Sequence, residues 1–287
     1  MITYNCTITS DWSRNGVRVP KSAQFRTEIN LLNAARDNLI VWESEKLRDD
    51  IIKALCALVV DANGTVVNFD VATSANKNTW TAANLGRVLF GNATANYSST
   101  FSTGCSNVTS TMIASAASID LAKRLAKSAL PRIRPFRVEA TLAREYYVAF
   151  HGARTFRDLL TDTTIINANT QARGREGTMM DKNPLFQDGD ILFNGVIHRE
   201  VPELDDYCAT AGFNGIGATT DVRPVFLCGA ASVGIAWGQM PTPRIDNLKD
   251  YGFRPGVAVE ELLGVKKINF NSVQNGVVTC FFAATSD

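Results

Sequence analysis

The chain has 287 residues, 45% apolar and 20% charged, a balance that suits a folded protein with a sizeable core and excludes a disordered tail. With 29 lysines and arginines against 28 aspartates and glutamates, the molecule as a whole has no net field to draw in polyanions or acidic membranes, so any nucleic-acid contact must come from local patches. Two histidines, and six scattered cysteines at 6, 56, 105, 208, 228 and 280 with no Cys-x-x-Cys, exclude a zinc site readable from spacing and suggest reduced thiols in an intracellular setting.

The opening "MITYNCTITSDWSRNG" alternates in the manner of a strand, with no charged-then-apolar leader. Ser22 to Val60 contains no proline or glycine, and its apolar residues, among them Phe25, Ile29, Leu32, Leu39, Trp42, Ile51 and Leu55, recur at spacings that approximate one helical face. An unbroken helix there would be roughly 55–60 Å long, a spine rather than an ordinary packing helix. Its outer face mixes both signs of charge, and "DANGTVV" is read as its stop signal.

Asn63 to Thr111 is rich in Asn, Thr, Ser, Gly and Ala, which bury little, so loops are expected with one short helix near "AANLGRVLF". The Asn-x-Ser/Thr matches at Asn5, Asn92, Asn96 and Asn107 are read as chance. A second helix is predicted over Thr111 to Leu130, stopped by Pro131. Then come a strand, Tyr146 to Phe150, a helix, Ala153 to Leu160, a charged loop "QARGREGTMMDKNPLF", strands near "DILFNGVIHREV" and a Gly/Thr loop from Leu204 to Thr220.

Pro224 to Pro243 is the longest uncharged stretch, but Gly229, Gly234 and Gly238 interrupt it, so strand–turn–strand fits better than a membrane span. The tail predicts a short helix or strand, then a hairpin with its turn at Asn275-Gly276 and a last strand, Val277 to Ala284. Helices and strands mix without regular βαβ repetition, which makes the class α+β.

Several patterns invite a chemical reading. His151 ends an apolar strand where α/β enzymes often place a catalytic group, yet the sequence supplies neither an orienting acid nor a Gly-x-Ser-x-Gly turn, and a packed strand-end residue is the plainer reading. "HREVPELDD" could offer His198 and several carboxylates to a cation, but Pro202 breaks any helical register and a solvated loop entry fits better. "GFNGIG", Gly212 to Gly217, lacks the strand before and the helix after that aim backbone N–H groups at a phosphate. No cofactor or metal site is indicated. The strongest local patch is "KRLAKSALPRIRPFRV", with Lys123, Arg124, Lys127, Arg132, Arg134 and Arg137 and no acid among them. It is a candidate contact for a neighbouring subunit or for DNA phosphates, with a solvated helix end as the alternative.

Taken in order, "EKLRDDIIKALCAL", "SIDLAKRLAKSALPRIRPFRV" running into "YYVAFHGARTFRDLL", "KNPLFQDGDILFNGVIHREVPEL", "RPVFLCGAASVGIAWG" and "DYGFRPGVAVEELLGVKKINFN" with "GVVTCFFAAT" resemble the major capsid proteins of tailed bacteriophages, most of all the family typified by the phage N-four coat protein. The resemblance implies the Hong Kong 97-type capsid fold. It places a partial E-loop or N-terminal strand in residues 1–21, a peripheral domain with the spine helix in 22–62, an axial domain in 63–246, and a return to the peripheral domain in 247–287. "ITYNCTITSDWSRNGVRV" resembles the returning strand of the E-loop. His151 would then mark a turn of the scaffold.

The function implied is a structural subunit of a virion capsid. It would assemble in the host cytoplasm into pentamers and hexamers of an icosahedral shell around double-stranded DNA. Decoration or cement protein, scaffold and portal would be further partners, and no membrane is involved. Near-neutral net charge fits this, because it limits repulsion among many copies. Two other classes stay open on the residues alone: an intracellular hydrolase-like α+β enzyme using His151 or His198, and a nucleic-acid-binding module using the Arg132–Arg137 patch.

Overall fold

A computed structural model describes residues 5–137, 145–168 and 190–284; the charged loop predicted over 171–186 lies outside them. In chain order the elements begin with β1 (Asp11–Arg18), α1 (Lys21–Gln24), α2 (Leu31–Cys56), β2 (Leu58–Val59), β3 (Val66–Val67), α3 (Ser74–Ala83) and β4 (Val88–Phe90). There follow α4 (Phe101–Ser106), α5 (Ala116–Ser128), β5 (Phe136–Arg137), β6 (Glu145–His151), α6 (Ala153–Leu160), β7 (Ile191–Phe193), β8 (Val196–Glu200) and α7 (Glu203–Thr210). The last are β9 (Val222–Cys228), β10 (Val233–Asp246), β11 (Gly256–Lys267), β12 (Asn269–Phe270), β13 (Val273–Gln274) and β14 (Val277–Ala283). They fall into two compact units, each assembled from separated stretches of chain.

The first unit (Leu55–Ser232 and Lys267 onward, with the described residues up to Cys6) is built on a seven-stranded mixed sheet of order β4-β14-β9-β6-β8-β7, with β5 paired to β6. At its centre β14 runs antiparallel to β9, from Val277 opposite Cys228 to Ala283 opposite Val222. Every residue of both strands is buried. That is why they read as near-continuous apolar runs rather than alternating ones: both faces of the sheet are covered.

One face carries Val225, Leu227, Val278, Cys280 and Phe282, packed with Ile119, Ala122 and Ala126 of α5. The helix starts where its sequence permits, at a reciprocal Ser115/Ser118 capping box. The opposite face carries Phe281, which stacks on Phe90 at 5.2 Å between ring centres and meets Phe101 edge-on at 5.4 Å, with Trp80 at 6.3 Å and Phe213 at 6.2 Å. Gly104 in α4 is required by that packing, since a Cβ there would stand 2.6 Å from the Phe90 ring.

These contacts correct the expectation that residues 63–111 are mostly loop. They are rich in Asn, Thr and Ser, but Phe69, Trp80, Phe90 and Phe101 are large and buried. The helix lies at Ser74–Ala83, ahead of the position predicted for it, and starts where the Thr73 hydroxyl accepts the Asn76 N–H at 3.2 Å. A second correction concerns 204–220: Pro202 does not break a helix but precedes one, α7, whose first turn holds Glu203, Asp205 and Asp206.

The second unit comprises Thr7–Ala54 and Val233–Lys266. Its three-stranded sheet has the order β1-β11-β10, with β1 antiparallel to β11 from Asp11 opposite Leu263 to Arg18 opposite Gly256. The spine is shorter than expected. The helix breaks after Gln24, and α2 begins where the Asn30 side-chain oxygen, Oδ1, accepts the Leu32 and Asn33 N–H groups, each at 3.2 Å. It has 26 residues, about 39 Å. It ends at Cys56, and "DANG" is the turn of the small β2–β3 hairpin that follows rather than a helix stop.

The tail is corrected as well. The hairpin turn lies at Asn271 and Ser272, both with φ positive at 48° and 68°, as a two-residue turn between paired strands requires. The last strand does not join the sheet of the helical unit; β14 is an inner strand of the seven-stranded sheet, between β4 and β9.

Phe281→Ala is expected to cost about 3–5 kcal/mol, because it opens a cavity where four aromatic rings converge. Leu130→Ala, at a position 86% exposed, should stay within about 0.5 kcal/mol. Urea unfolding followed by tryptophan fluorescence distinguishes the two.

Candidate functional site

The basic stretch is divided by the structure. α5 turns Ala116, Ile119, Ala122 and Ala126 inward, which leaves Arg124 and Lys127 exposed and Lys123 half-buried. The segment after the helix is pinned by the Ile133 N–H donating to the Ala126 carbonyl at 3.1 Å and the Tyr147 hydroxyl donating to the Ile133 carbonyl at 3.0 Å. Ile133 is therefore buried while Arg132 and Arg134 stay exposed on either side of it. Lys123 donates to the Asn194 carbonyl, and its pKa is lowered, chiefly by desolvation. Arg137 pairs with Glu145 at 3.3 Å. Among the described residues, Arg124, Lys127, Arg132 and Arg134 have no ion-pair partner.

The two histidines meet. β6 and β8 are parallel neighbours with Ala149 opposite His198, so His151, two residues further on, sits on the same face, and His151 Nε2 lies 3.0 Å from His198 Nδ1. Both are buried, at 0% and 1% exposure, and Phe156 closes over His151 edge-on. Burial pushes the His198 pKa down to about 4 and holds His151 well below 6.5, with the neighbouring ring adding to the effect at His151. The pair is neutral, one N–H donating to one bare nitrogen. Among the described residues no carboxylate orients it, and His151 Nδ1 has no partner. A general base needs both an orienting group and access to a substrate proton, so the enzyme alternative built on His151 or His198 finds no support here.

Asp205 of the "HREVPELDD" stretch is committed elsewhere. One oxygen accepts the Arg154 N–H at 3.0 Å, at the start of α6, and the other stands 3.2 Å from Arg223 Nε, an ion pair too bent to count as a hydrogen bond. Asp221 takes Arg154 Nη1 at 3.1 Å and the Gly215 N–H at 2.8 Å, while Arg223 Nη2 donates to Asn214 Oδ1 at 2.7 Å. The "GFNGIG" loop is thus held by Asp221 and Arg223. Among the described residues no cluster of three or more His, Cys, Asp or Glu could hold a metal. This network was not read from the sequence; its signal was an arginine, 223, heading an otherwise apolar strand two residues after an aspartate.

Sequence reasoning also missed the apolar surface of the helical unit. The end of β10 and its connection to β11 expose Ile245 (71%), Leu248 (91%) and Tyr251. Asp250 and Tyr251 hold positive φ there, 53° and 51°. The chain after β1 is bonded beside it, Val19 N–H to the Pro255 carbonyl and Lys21 N–H to the Phe253 carbonyl, each at 3.0 Å. Phe25 and Ile29, just beyond, are exposed too.

The histidine pair carries a pH dependence. The unfolded chain binds protons on these rings near pH 6.5, whereas folded His198 does so only near 4, so between those values the unfolded state holds more protons and stability falls as the pH drops. Urea midpoints should decline from pH 6.5 to 4, and the decline should flatten in the double variant His151→Gln/His198→Gln.

A family described as phage capsid protein matches residues 1–280. No curated protein sequence matches the chain. Among solved structures, the cyanophage Pam1 capsid is similar at 46% identity and a TM-score of 0.91, covering 99% of this chain and 77% of that one. The capsid of Ralstonia phage GP4 is similar in fold, at 20% identity and a TM-score of 0.69 over 97% of this chain and 74% of that one. The head of Helicobacter pylori bacteriophage KHP40 has the same fold, at 14% identity and a TM-score of 0.59 over 98% and 76%. The chain belongs to the phage capsid protein family and has its Hong Kong 97-type fold.

Proposed function

We propose that this chain tiles the head of a tailed phage, assembling with copies of itself into pentamers and hexamers of an icosahedral shell around double-stranded DNA. The observation that carries the reading is the surface of the helical unit. Ile40 and Val41 on α2, Trp12 on β1, Ile245 at the end of β10, and Leu248 and Tyr251 in the connection after it are all more than half exposed. Isolated exposed side chains are ordinary, but a three-stranded sheet and a long helix with this much open apolar surface and few buried side chains call for neighbours to cover them. Repetition of one such contact around closed symmetry stabilises a shell without any single strong interface.

In this reading the unit of Thr7–Ala54 and Val233–Lys266 is the peripheral domain with part of the E-loop strand, and the sheet unit is the axial domain. Arg124, Lys127, Arg132 and Arg134, exposed and without ion-pair partners among the described residues, are the proposed contact with packaged DNA or an acidic neighbouring subunit. Lys123 and Arg137, already engaged, support the segment that presents them. Scaffold, portal and decoration proteins are the partners such a shell would meet during assembly in the host cytoplasm.

Electron microscopy of the purified protein should show rings or closed shells. Replacing Leu248 and Tyr251 by serine should abolish them while leaving the unfolding midpoint within about 0.5 kcal/mol of the parent, as for other exposed sites. A parent protein that stays monomeric at high concentration would overturn the proposal. For the basic segment, replacing Arg132 and Arg134 by glutamine should reduce the salt dependence of DNA binding by about two phosphate contacts.

A further inference from the structure

The three-stranded sheet of the unit Thr7–Ala54 and Val233–Lys266 carries a groove of about 670 Å³, lined among others by Arg14, Gly16 and Arg18 of β1, Gly256 and Ala258 of β11, and Arg244 of β10. Register brings these residues together. Arg14, Gly16 and Arg18 alternate onto one face of β1, and opposite them on β11 stand Glu260, Ala258 and Gly256. The floor between the two arginines is therefore almost bare of side chain. A Cβ on Gly16 would stand 2.9 Å from the Ala258 Cβ, and one on Gly256 would stand 3.0 Å from the Arg18 Cγ.

Charge in the groove is unbalanced. Glu260 is taken up by Arg244, whose Nε lies 2.6 Å from its Oε1. Asp246, the carboxylate in the lining, accepts the Leu248 N–H at 3.1 Å. Arg14 and Arg18 are exposed and have no ion-pair partner among the described residues. At about 3.3 Å per residue they stand roughly 13 Å apart, one at each end of the bare floor.

A complement of the same length lies on α2. Asp37, Val41 and Glu45 follow one another at four-residue intervals along one flank of the helix, and at 1.5 Å per residue the two carboxylates are about 12 Å apart. All three side chains are exposed, and among the described residues neither carboxylate has an ion-pair partner. Acid, apolar, acid on the ridge thus matches arginine, glycine, arginine in the groove, with Val41 over the space that Gly16 and Ala258 leave open. The acids of α7 offer no such match: Glu203, Asp205 and Asp206 crowd into one turn, and Asp205 already faces Arg223. Nor does the ridge reach the groove of its own copy. Glu261, which alternates with Glu260 and so points from the other face of the sheet, meets Lys46 of α2 at 3.7 Å, which places the helix on the side away from the groove.

We propose that the Arg14–Arg18 groove of one copy receives the Asp37–Val41–Glu45 ridge of a second copy and sets the register between them. This rests on the reading of the chain as a shell subunit. Groove and ridge are different surfaces on opposite sides of one unit, so the contact is head-to-tail, the kind that builds rings where the rotation closes. Its charges fix orientation more than they add affinity, since exposed ion pairs contribute little each while like charges placed face to face are strongly unfavourable.

Charge reversal on both sides tests this. Arg14→Glu/Arg18→Glu and, separately, Asp37→Arg/Glu45→Arg should each raise the protein concentration at which rings or shells form by on the order of tenfold or more, read by sedimentation and electron microscopy. The protein carrying all four changes should assemble near the concentration of the parent. These side chains are exposed, so each variant should melt with the parent; where the groove variant does not fold, the ridge variant decides. A parent that forms no shells removes the capsid reading and this contact with it. A parent that assembles, beside a folded groove or ridge variant that assembles equally well or a folded fourfold variant that does not recover, overturns this contact alone.

Discussion

The antiparallel pairing of β9 with β14 is the constraint on which the rest of the molecule depends. Both strands are buried along their whole length, and they are joined in register from Val277 opposite Cys228 to Ala283 opposite Val222. Once they pair, the chain between them must leave the sheet and come back, and residues 233–266 do so as β10 and β11 of the other unit. The pairing also divides the core. Alternate residues send Val278, Cys280 and Phe282 to the aliphatic side under α5, and Phe281 to the aromatic side.

The two units solve the problem of apolar surface in opposite ways. Among the described residues the sheet unit buries most of its large side chains, with α5 on one face and the Phe69, Trp80, Phe90, Phe101 cluster on the other. The helical unit buries only a few, among them Val19, Ala35, Leu39, Ile52 and Leu263, and leaves long strands and much of α2 open. A subunit of the phage capsid family is suited by that division.

Buried charge and polarity in the sheet unit are settled in three different ways. Arg223, at 1% exposure, is surrounded by Asp205, Asp221 and Asn214 and so keeps its charge with partners. The two histidines avoid charge by staying neutral against each other. Lys267 has a carbonyl and an aromatic ring but no carboxylate. In unit Thr7–Ala54/Val233–Lys266, Glu261 is likewise buried, with its pKa raised by desolvation and opposed by Lys46 at 3.7 Å.

By itself the sequence determined the mixed class, the strand at Tyr146 to Phe150, the helix after it and the helix before Pro131, because each rests on local periodicity, a cap or a proline that acts within a few residues. The ordered likeness of five segments to capsid proteins was equally a property of the chain alone. Tertiary structure decided what depends on distant partners. The aromatic core arose from a stretch rich in Asn, Thr and Ser because Trp80, Phe90 and Phe101 converge with Phe213 on Phe281. The meeting of His151 with His198, and of Arg223 with Asp205, was settled by strand register and loop return, since a side chain's partner across a sheet is fixed by pairing and not by its neighbours in sequence.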